Sequence, residues 1–295
     1  PLKAKPKPLD KLYANYLRAW FGNFGGLGVD LFLNNKRNKY SAYGLNLQHA
    51  GFSSGPVDGS NSGSTRTHVD GNARFFSKAA EIGITAGYDR HRVNYFGYAP
   101  SLTDVSEDTL RQVWNKINIK AHLQSTEVDN PLQFRAEGAF QNTSSDFDAT
   151  ETLGRLTLKS SYQIDDPLSI YLNGSLMLSQ YEVSNQQNRN LLKLQPGLRY
   201  QTGDLTIFAG INAAQENDTL PDADQLHIYP NLRAEYQISE QVLAKAFVDG
   251  DIEERTLWSL SEENPWIAEG VALAHQNREL AIGDSREAGI GAQAV

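Results

Sequence analysis

The sequence predicts an all-β chain built as an up-and-down antiparallel transmembrane β-barrel. Three observations carry this. Apolar and polar residues alternate with a period of two over windows of 10–13 residues, again and again down the chain. Short turns alternate with longer polar loops. Aromatic residues recur on the apolar face beside the short turns. Two-residue periodicity places successive side chains on opposite faces of a strand, and no helical spacing fits these windows.

Residues 1–10, PLKAKPKPLD, lack an apolar stretch and so are not a signal peptide. They are expected as a periplasmic N-terminal segment, with residues 11–295 forming barrel. Strands are predicted at 12–21, 27–33 and 40–50, rich in Tyr, Leu and Phe, then at 67–76 and 79–96. In the last of these one face runs Ile82, Ile84, Ala86, Tyr88 and then Arg90 and Arg92, as though leaving an apolar layer. A strand at 110–124 carries Lys116, Asn118, Lys120 and His122 on its polar side. The next, 132–143, sets Leu132, Phe134, Ala136, Gly138 and Phe140 against Gln133, Arg135, Glu137 and Gln141. Strand 151–164 sets Leu156, Leu158, Tyr162 and Ile164 against Arg155, Thr157, Lys159, Ser161 and Gln163. In 168–182, Leu168, Ile170, Leu172, Gly174, Leu176 and Leu178 oppose Ser169, Tyr171, Asn173, Ser175, Met177 and Ser179. Strands at 190–201, 204–215, 225–238 and 241–253 repeat the pattern, and weaker ones follow near 278–282 and 286–294. Pro196 and Pro230 sit at similar places in two of these strands; since proline removes a ladder donor, bulges are expected there. The count is thirteen to fifteen strands.

Turns at 126–131, 165–167, 202–204 and 239–241 are short and hold the Gly, Pro, Asn and Asp that turns need. Longer loops at 51–66, 97–109, 144–150, 183–189 and 216–224 lie between them. This asymmetry matches outer-membrane barrels, whose periplasmic turns are short and external loops longer.

Composition supports the same class. Apolar residues make up 40%, below the roughly 45–50% of a soluble domain, which suits a chain with a single apolar face. No run is long enough for a membrane helix. With no cysteine, disulfides and thiolate metal sites are excluded. With 35 acidic against 27 basic side chains the net charge is −8, so nucleic acid is not expected as a partner.

A soluble sandwich or solenoid would turn its apolar face inward, with shorter strands or a fixed repeat. The opposite facing is favoured here because the polar face is rich in charge. Strands of this length suit the about 9–11 residues that cross hydrocarbon at a tilt. Phe75, Tyr162, Tyr200 and Tyr236 fall at one depth on the apolar face, as an interfacial aromatic girdle would. Outer-membrane lipid is thus an expected partner. Lys116, Lys120, Arg135, Arg155, Lys159, Lys193, Arg199, Arg233 and Lys245 should face the lumen, where they outnumber Asp89, Glu137, Glu235 and Asp249. A basic lining favours anions or contacts a plug. A ladder in which Arg135, Glu137, Arg233 and Glu235 pair across strands is the alternative.

Several stretches resemble TonB-dependent-receptor-like outer-membrane barrel proteins of the Bacteroidetes type. They are LKLQPGLRY (192–200), GDLTIFAGINA (203–213), LHIYPNLRAEY (226–236) and LAKAFVDGDIEERTLWSLSEENPWI (243–267), with Trp258-Ser259-Leu260 and Glu263-Asn264-Pro265-Trp266 as the most family-like motifs. The opening KLYANYLRAWFGNFGGLGVDLFLNNKRNKYSAYGLNLQH is similar to the family's first three strands. The resemblance implies ligand uptake across the outer membrane, a plug domain or partner outer-membrane protein, and further strands beyond residue 295. No plug and no TonB box are seen in the sequence. The chain is therefore expected to be part of a barrel, a small complete barrel being the alternative. A non-transporting assembly subunit and a passive porin are the other functional readings.

Catalytic signals are weak, and no enzyme, cofactor or metal is expected. His91 near Asp89, or His68 near Asp70, could imitate an outer-membrane hydrolase, but ordinary polar barrel residues are the plainer reading. Asp218, Asp222 and Asp224 could bind calcium, yet a solvated acidic loop explains them as well. The glycine-rich 58–72 stretch joins two strands and leads into no helix, so it is no phosphate loop.

Overall fold

The structure, a computed structural model, describes residues 13–36, 38–57, 59–96, 105–183, 186–217, 224–267, 273 and 276–288. Fourteen strands form one sheet whose spatial order is the chain order, every neighbouring pair antiparallel. They are β1 (Asn15–Gly22), β2 (Gly26–Asn34), β3 (Ser41–Phe52), β4 (Ser64–Phe76), β5 (Ala80–Asn94), β6 (Arg111–Ser125) and β7 (Leu132–Ser145). Then come β8 (Thr150–Asp165), β9 (Leu168–Glu182), β10 (Gln186–Thr202), β11 (Leu205–Asn217), β12 (Asp224–Ser239), β13 (Val242–Glu253) and β14 (Gln276–Ala288). A single turn of helix, α1 (Glu107–Leu110), precedes β6, and α2 (Leu257–Glu263) follows β13. Among the described residues β1 pairs only with β2 and β14 only with β13, so the sheet is a partial barrel with two free edges.

The alternation sets which face is which. Leu156, Leu158, Leu172 and Leu178 stand outward and are 40–62% exposed, while Leu153, Met177 and Ser179 on the other parity are almost wholly buried. The apolar face is therefore the outer one in strand after strand, and the charged face is concave. One end of the wall has the tight connections 166–167, 203–204 and 240–241. The other carries the longer loops after β3, β5 and β13.

Aromatic side chains pack over glycines. Trp20 covers Gly28 of the neighbouring strand, and Tyr171 of β9 covers Gly197 of β10 and reaches Gly210 of β11 with its hydroxyl; a Cβ at these glycines would meet the aromatic side chain at 2.1–2.7 Å. A larger residue there would lift the ring off the wall, so glycine is needed for this close approach.

Four expectations need correction. The two weak strands near 278–282 and 286–294 are one strand, Gln276–Ala288, and residues 289–295 lie outside the described ones. β10 starts at Gln186 and β4 at Ser64, so the loops read at 183–189 and 51–66 are shorter; polar but alternating residues such as Gln187 and Arg189 continue the ladder. No register shift occurs at Pro196 or Pro230. Pro196 stays opposite Leu172 and drops out of the ladder toward β11 together with Gln195, while Pro230 stays opposite Ile211 and marks the place where pairing with β13 stops, the ladder there starting at Asn231. The bulges fall instead at 163–165, 237–239 and 249–251. Residues 1–10 and the 218–223 part of the acidic loop lie outside the described residues.

Candidate functional site

The concave face holds the site, because a segment of the chain crosses it. The last residues of β13, beyond the bulge at Asp249–Asp251, reach inward, and after Glu253 the chain folds back through the interior, touching earlier strands in turn. Asp251 Oδ2 and the Ile252 carbonyl both accept from Lys193 Nζ of β10, at 2.6 and 2.7 Å. Glu254 pairs with Arg155 of β8. The Arg255 carbonyl accepts from Arg189 of β10 at 3.0 Å. Leu257 N–H donates to Glu151 Oε2 of β8 at 2.6 Å. Glu262 accepts from Lys116 of β6 at 2.5 Å and from Arg66 of β4 at 3.0 Å. Finally, the Pro265 carbonyl accepts from Trp114 Nε1 of β6 at 2.8 Å, and Trp266 Nε1 donates to the Asn94 carbonyl of β5 at 3.0 Å.

Local sequence explains the turn of helix in the middle. Thr256 caps α2: its Oγ1 accepts from Ser259 N–H, and Ser259 Oγ accepts from Thr256 N–H, a reciprocal box. The Glu151 carboxylate on the first helical N–H adds negative charge where the helix end is positive. Apolar contacts hold both ends. Ile252 closes a buried cluster of Leu153, Met177, Leu191 and Ala214, and Leu257 joins Trp114, Ala149, Tyr181 and Leu273 in a second. These apolar residues stand on the otherwise polar face, and each is covered.

Electrostatics tie the segment down. Lys116 is fully buried, with Glu262 against its ammonium and the Trp258 ring 5.3 Å away. Partial burial alone would raise the Glu262 carboxyl, but the hydrogen bonds and charge of Lys116 and Arg66 outweigh it and hold it below the usual glutamate value.

The expected lumen row thus divides. Lys116, Arg155 and Lys193 clamp the fold-back segment. Arg135 donates to Gln124 Oε1 at 2.7 Å and to Glu137 Oε2 at 2.8 Å, so its acid partner is on its own strand. Glu235 stands opposite Lys245 in the register of β12 and β13. Lys120 and Lys159 are exposed. The guanidinium groups of Arg199 and Arg233 both lie over the Phe208 ring, 5.5 and 5.9 Å from its centre. The ladder of Arg135, Glu137, Arg233 and Glu235 across strands does not form. On the outer face, Phe75, Tyr162, Tyr200 and Tyr236 are exposed, each near the short-turn end of its strand.

Sequence reading missed Asp251, Glu254, Glu262, Glu151 and Arg189. Spacing gives no warning of them, because the ion-pair and backbone partners named here are 38–196 residues away. The available signal was the acid-rich DGDIEE run followed by an apolar Leu-Trp pair, too polar for strand and too apolar for loop. The His68 half of the hydrolase imitation dissolves: His68 Nε2 lies 3.0 Å from Asp70 and Nδ1 lies 3.4 Å from Asp89, so both ring nitrogens face carboxylates and neither is left for a serine.

A β-wall with its apolar face outward and its charged face inward has the facing of a membrane barrel, and comparison shows which solved folds it resembles. No protein-family profile and no curated protein matches the sequence. Among solved structures the fold matches barrels of the TonB-dependent receptor class. The FrpB iron transporter of Neisseria meningitidis aligns with a TM-score of 0.66 at 11% identity, over 89% of this chain and 50% of that one. The ferric enterobactin receptor PfeA of Pseudomonas aeruginosa gives 0.60 at 11%, over 80% and 42%. The ferric yersiniabactin uptake receptor FyuA of Yersinia pestis gives 0.55 at 12%, over 92% and 51%. These are transport receptors, not enzymes. The chain spans about half the length of the structures it matches.

Proposed function

We propose that this chain is part of a bacterial outer-membrane β-barrel of the TonB-dependent-receptor-like kind, which takes up a ligand across the outer membrane. The observation that carries the reading is the facing of the wall: an apolar outer surface with aromatic residues near one end, and a charged inner surface fit for water and solute. The likeness of the fold to iron and siderophore receptors supports a ferric chelate as the ligand class. Of the basic row, Lys116, Arg155 and Lys193 are taken up by carboxylates of residues 251–262 and Arg135 by Glu137; the remaining cations suit such a ligand when it is anionic. The membrane position, the aromatic girdle of Phe75, Tyr162, Tyr200 and Tyr236, and a plug or partner protein against the lower lumen belong to the same proposal.

Cells carrying or lacking the gene, grown under iron limitation and supplied with radiolabelled ferric enterobactin, test it. Accumulation that depends on the gene supports uptake, and equal accumulation with and without it counts against it.

The fold-back segment favours a second reading over a passive pore. Clamped by four ion pairs and two buried clusters, it obstructs the interior. A barrel that scaffolds partner proteins without transporting would show no conductance in planar bilayers and would co-purify with those partners.

A further inference from the structure

We infer that the outer wall carries a site for a phosphate-bearing lipid of the outer leaflet, with its phosphate at Arg90 and Arg92 and an acyl chain in a hollow beneath them. This rests on reading the wall as membrane-spanning, with its long-loop end outermost.

The outward face is almost free of charge. From β3 to β10 the charged residues that share its parity are Arg90, Arg92, Arg111 and Glu182. All four lie at the long-loop end of their strands, and the three arginines are neighbours on β5 and β6. The short-turn end carries exposed aromatic rings instead. The two rims of the apolar band therefore differ in chemistry. Arg111 is met by Asp108 and Asp146, at 3.2 and 3.7 Å. Arg90 has no carboxylate within ion-pair distance among the described residues. Arg92 Nε donates to Asn94 Oδ1 across a long 3.4 Å. Glu182 stands four strands from β5, roughly 19 Å at about 4.8 Å per strand. An arginine on a lipid-facing position is tolerated near the interface, and there it attracts anionic lipid.

The neighbours of the two arginines suit a phosphate. Thr67 and Thr65 of β4 stand opposite Arg90 and Arg92, and Asn115 of β6 flanks Arg90 on the other side. Tyr88 Oη donates to Asn115 Oδ1 at 2.8 Å, which leaves the amide N–H groups for another acceptor. Two guanidinium groups two residues apart on one face, roughly 7 Å along the strand, can grip one phosphate from both sides with paired N–H donors.

Below them the wall is hollowed. The row of Arg90 runs through Asn115 and Ser144 to Thr150, and four residues lower, roughly 13 Å, the row Ile119, Phe140 and Gly154 crosses the same strands. Ala121, Gly138 and Gly154 floor a cavity of about 420 Å³ there, walled by Ile119, Phe140 and Leu178. Cation above and apolar hollow below have the order of a phosphorylated lipid, headgroup outermost and chain toward mid-bilayer.

Native mass spectrometry of the full-length protein in dodecyl maltoside, with diphosphoryl lipid A as the probe, tests the site. One tightly held copy per protein is expected. The same probe stripped of its phosphates should bind at least about tenfold more weakly, and Arg90→Gln and Arg92→Gln should each weaken the intact probe about tenfold, the loss of one charge-assisted contact. A Cβ at Gly154 meets nothing within 4 Å, so Gly154→Leu can fill the hollow and should weaken binding with no change of charge. Lys78→Gln, on an exposed turn at the opposite end, should leave it unchanged. A β-type circular dichroism spectrum in each variant confirms folding. Equal retention of the dephosphorylated probe, or equal affinity in both arginine variants, overturns the site. Full affinity in Gly154→Leu, or displacement of the lipid by an equal concentration of inorganic phosphate, reduces it to a free-anion site and overturns the lipid. If the protein proves membrane-embedded in those cases, the site fails by itself. Recovery in the soluble fraction without detergent overturns the site and the outer-membrane reading together.

Discussion

Lys116 and Glu262 meet at 2.5 Å across 146 residues of sequence, one on the inner face of β6 and the other on the helix that crosses the interior. Lys116 is fully buried and Glu262 about a third exposed. Removing the carboxylate in Glu262→Gln leaves a buried ammonium with a poorer partner. Undocking of residues 251–267 should then become easier by about 1–3 kcal/mol, less than for a wholly buried pair because Glu262 still sees water. Removing both charges in Lys116→Met/Glu262→Gln should restore part of the loss. Hydrogen exchange across α2 measures this, and equal protection in both variants would contradict the clamp.

The same pair sets a pH dependence. The folded Glu262 carboxyl is held below its ordinary value by Lys116 and Arg66. Its contribution is therefore complete above the unfolded glutamate value of about 4.3 and is lost as pH falls through the lower, folded value. Exchange protection of α2 should stay flat from neutrality to about pH 5 and fall below about pH 4. In Glu262→Gln that acid step should shrink.

Tyr171 packs on Gly197 and Gly210, and a Cβ at Gly197 would sit 2.3 Å from Tyr171 Oη and Cζ. Gly197→Ala should cost about 1–3 kcal/mol as an overpacked contact. Tyr171→Ala in the same chain should make the alanine nearly harmless, so the two changes should be non-additive in urea unfolding from detergent.

Leu172 and Asn173 are adjacent on β9 but face opposite ways, Leu172 outward and 45% exposed. Arginine at Leu172 should cost about 2–4 kcal/mol at mid-bilayer depth. Arginine at Asn173 should cost much less. Yield of folded protein in liposomes after refolding reads the difference, and equal tolerance at both positions would contradict the facing.

Much of the wall was legible because period-two alternation is a local signal. Leu168, Ile170 and Leu172 against Ser169, Tyr171 and Asn173 fix the facing of β9 without knowledge of any other strand. The expectation that the basic row, Lys116 through Lys245, shares the inner face rests on the same arithmetic. What those cations touch did not follow. Lys193 meets Asp251 at the bulged end of β13, and Arg155 meets Glu254 because the chain after β13 turns back inside; that path goes with the bulge at Asp249–Asp251, the Thr256 cap and apolar cover for Leu153 and Met177. Met177 falls on the polar face by parity, yet it is fully buried in an apolar cluster. The bulges expected at Pro196 and Pro230 do not form because a proline can lose its bond to one neighbour, or end pairing on that side, while keeping register with the other.

The chain has no cysteine, so single cysteines can carry a nitroxide label along β9 from Ile170 to Met177 without background. In proteoliposomes, collision rates with oxygen, which partitions into lipid, and with a water-soluble nickel chelate read the facing of each position directly. Labels at Ile170, Leu172, Gly174 and Leu176 should favour oxygen, and labels at Tyr171, Asn173, Ser175 and Met177 should not. Within the second set, Met177 should be shielded from nickel by the fold-back segment while Asn173 stays open to it. A profile without two-residue alternation, or one in which Leu172 meets the nickel chelate and Asn173 meets the lipid, would contradict a barrel wall that turns its apolar face outward.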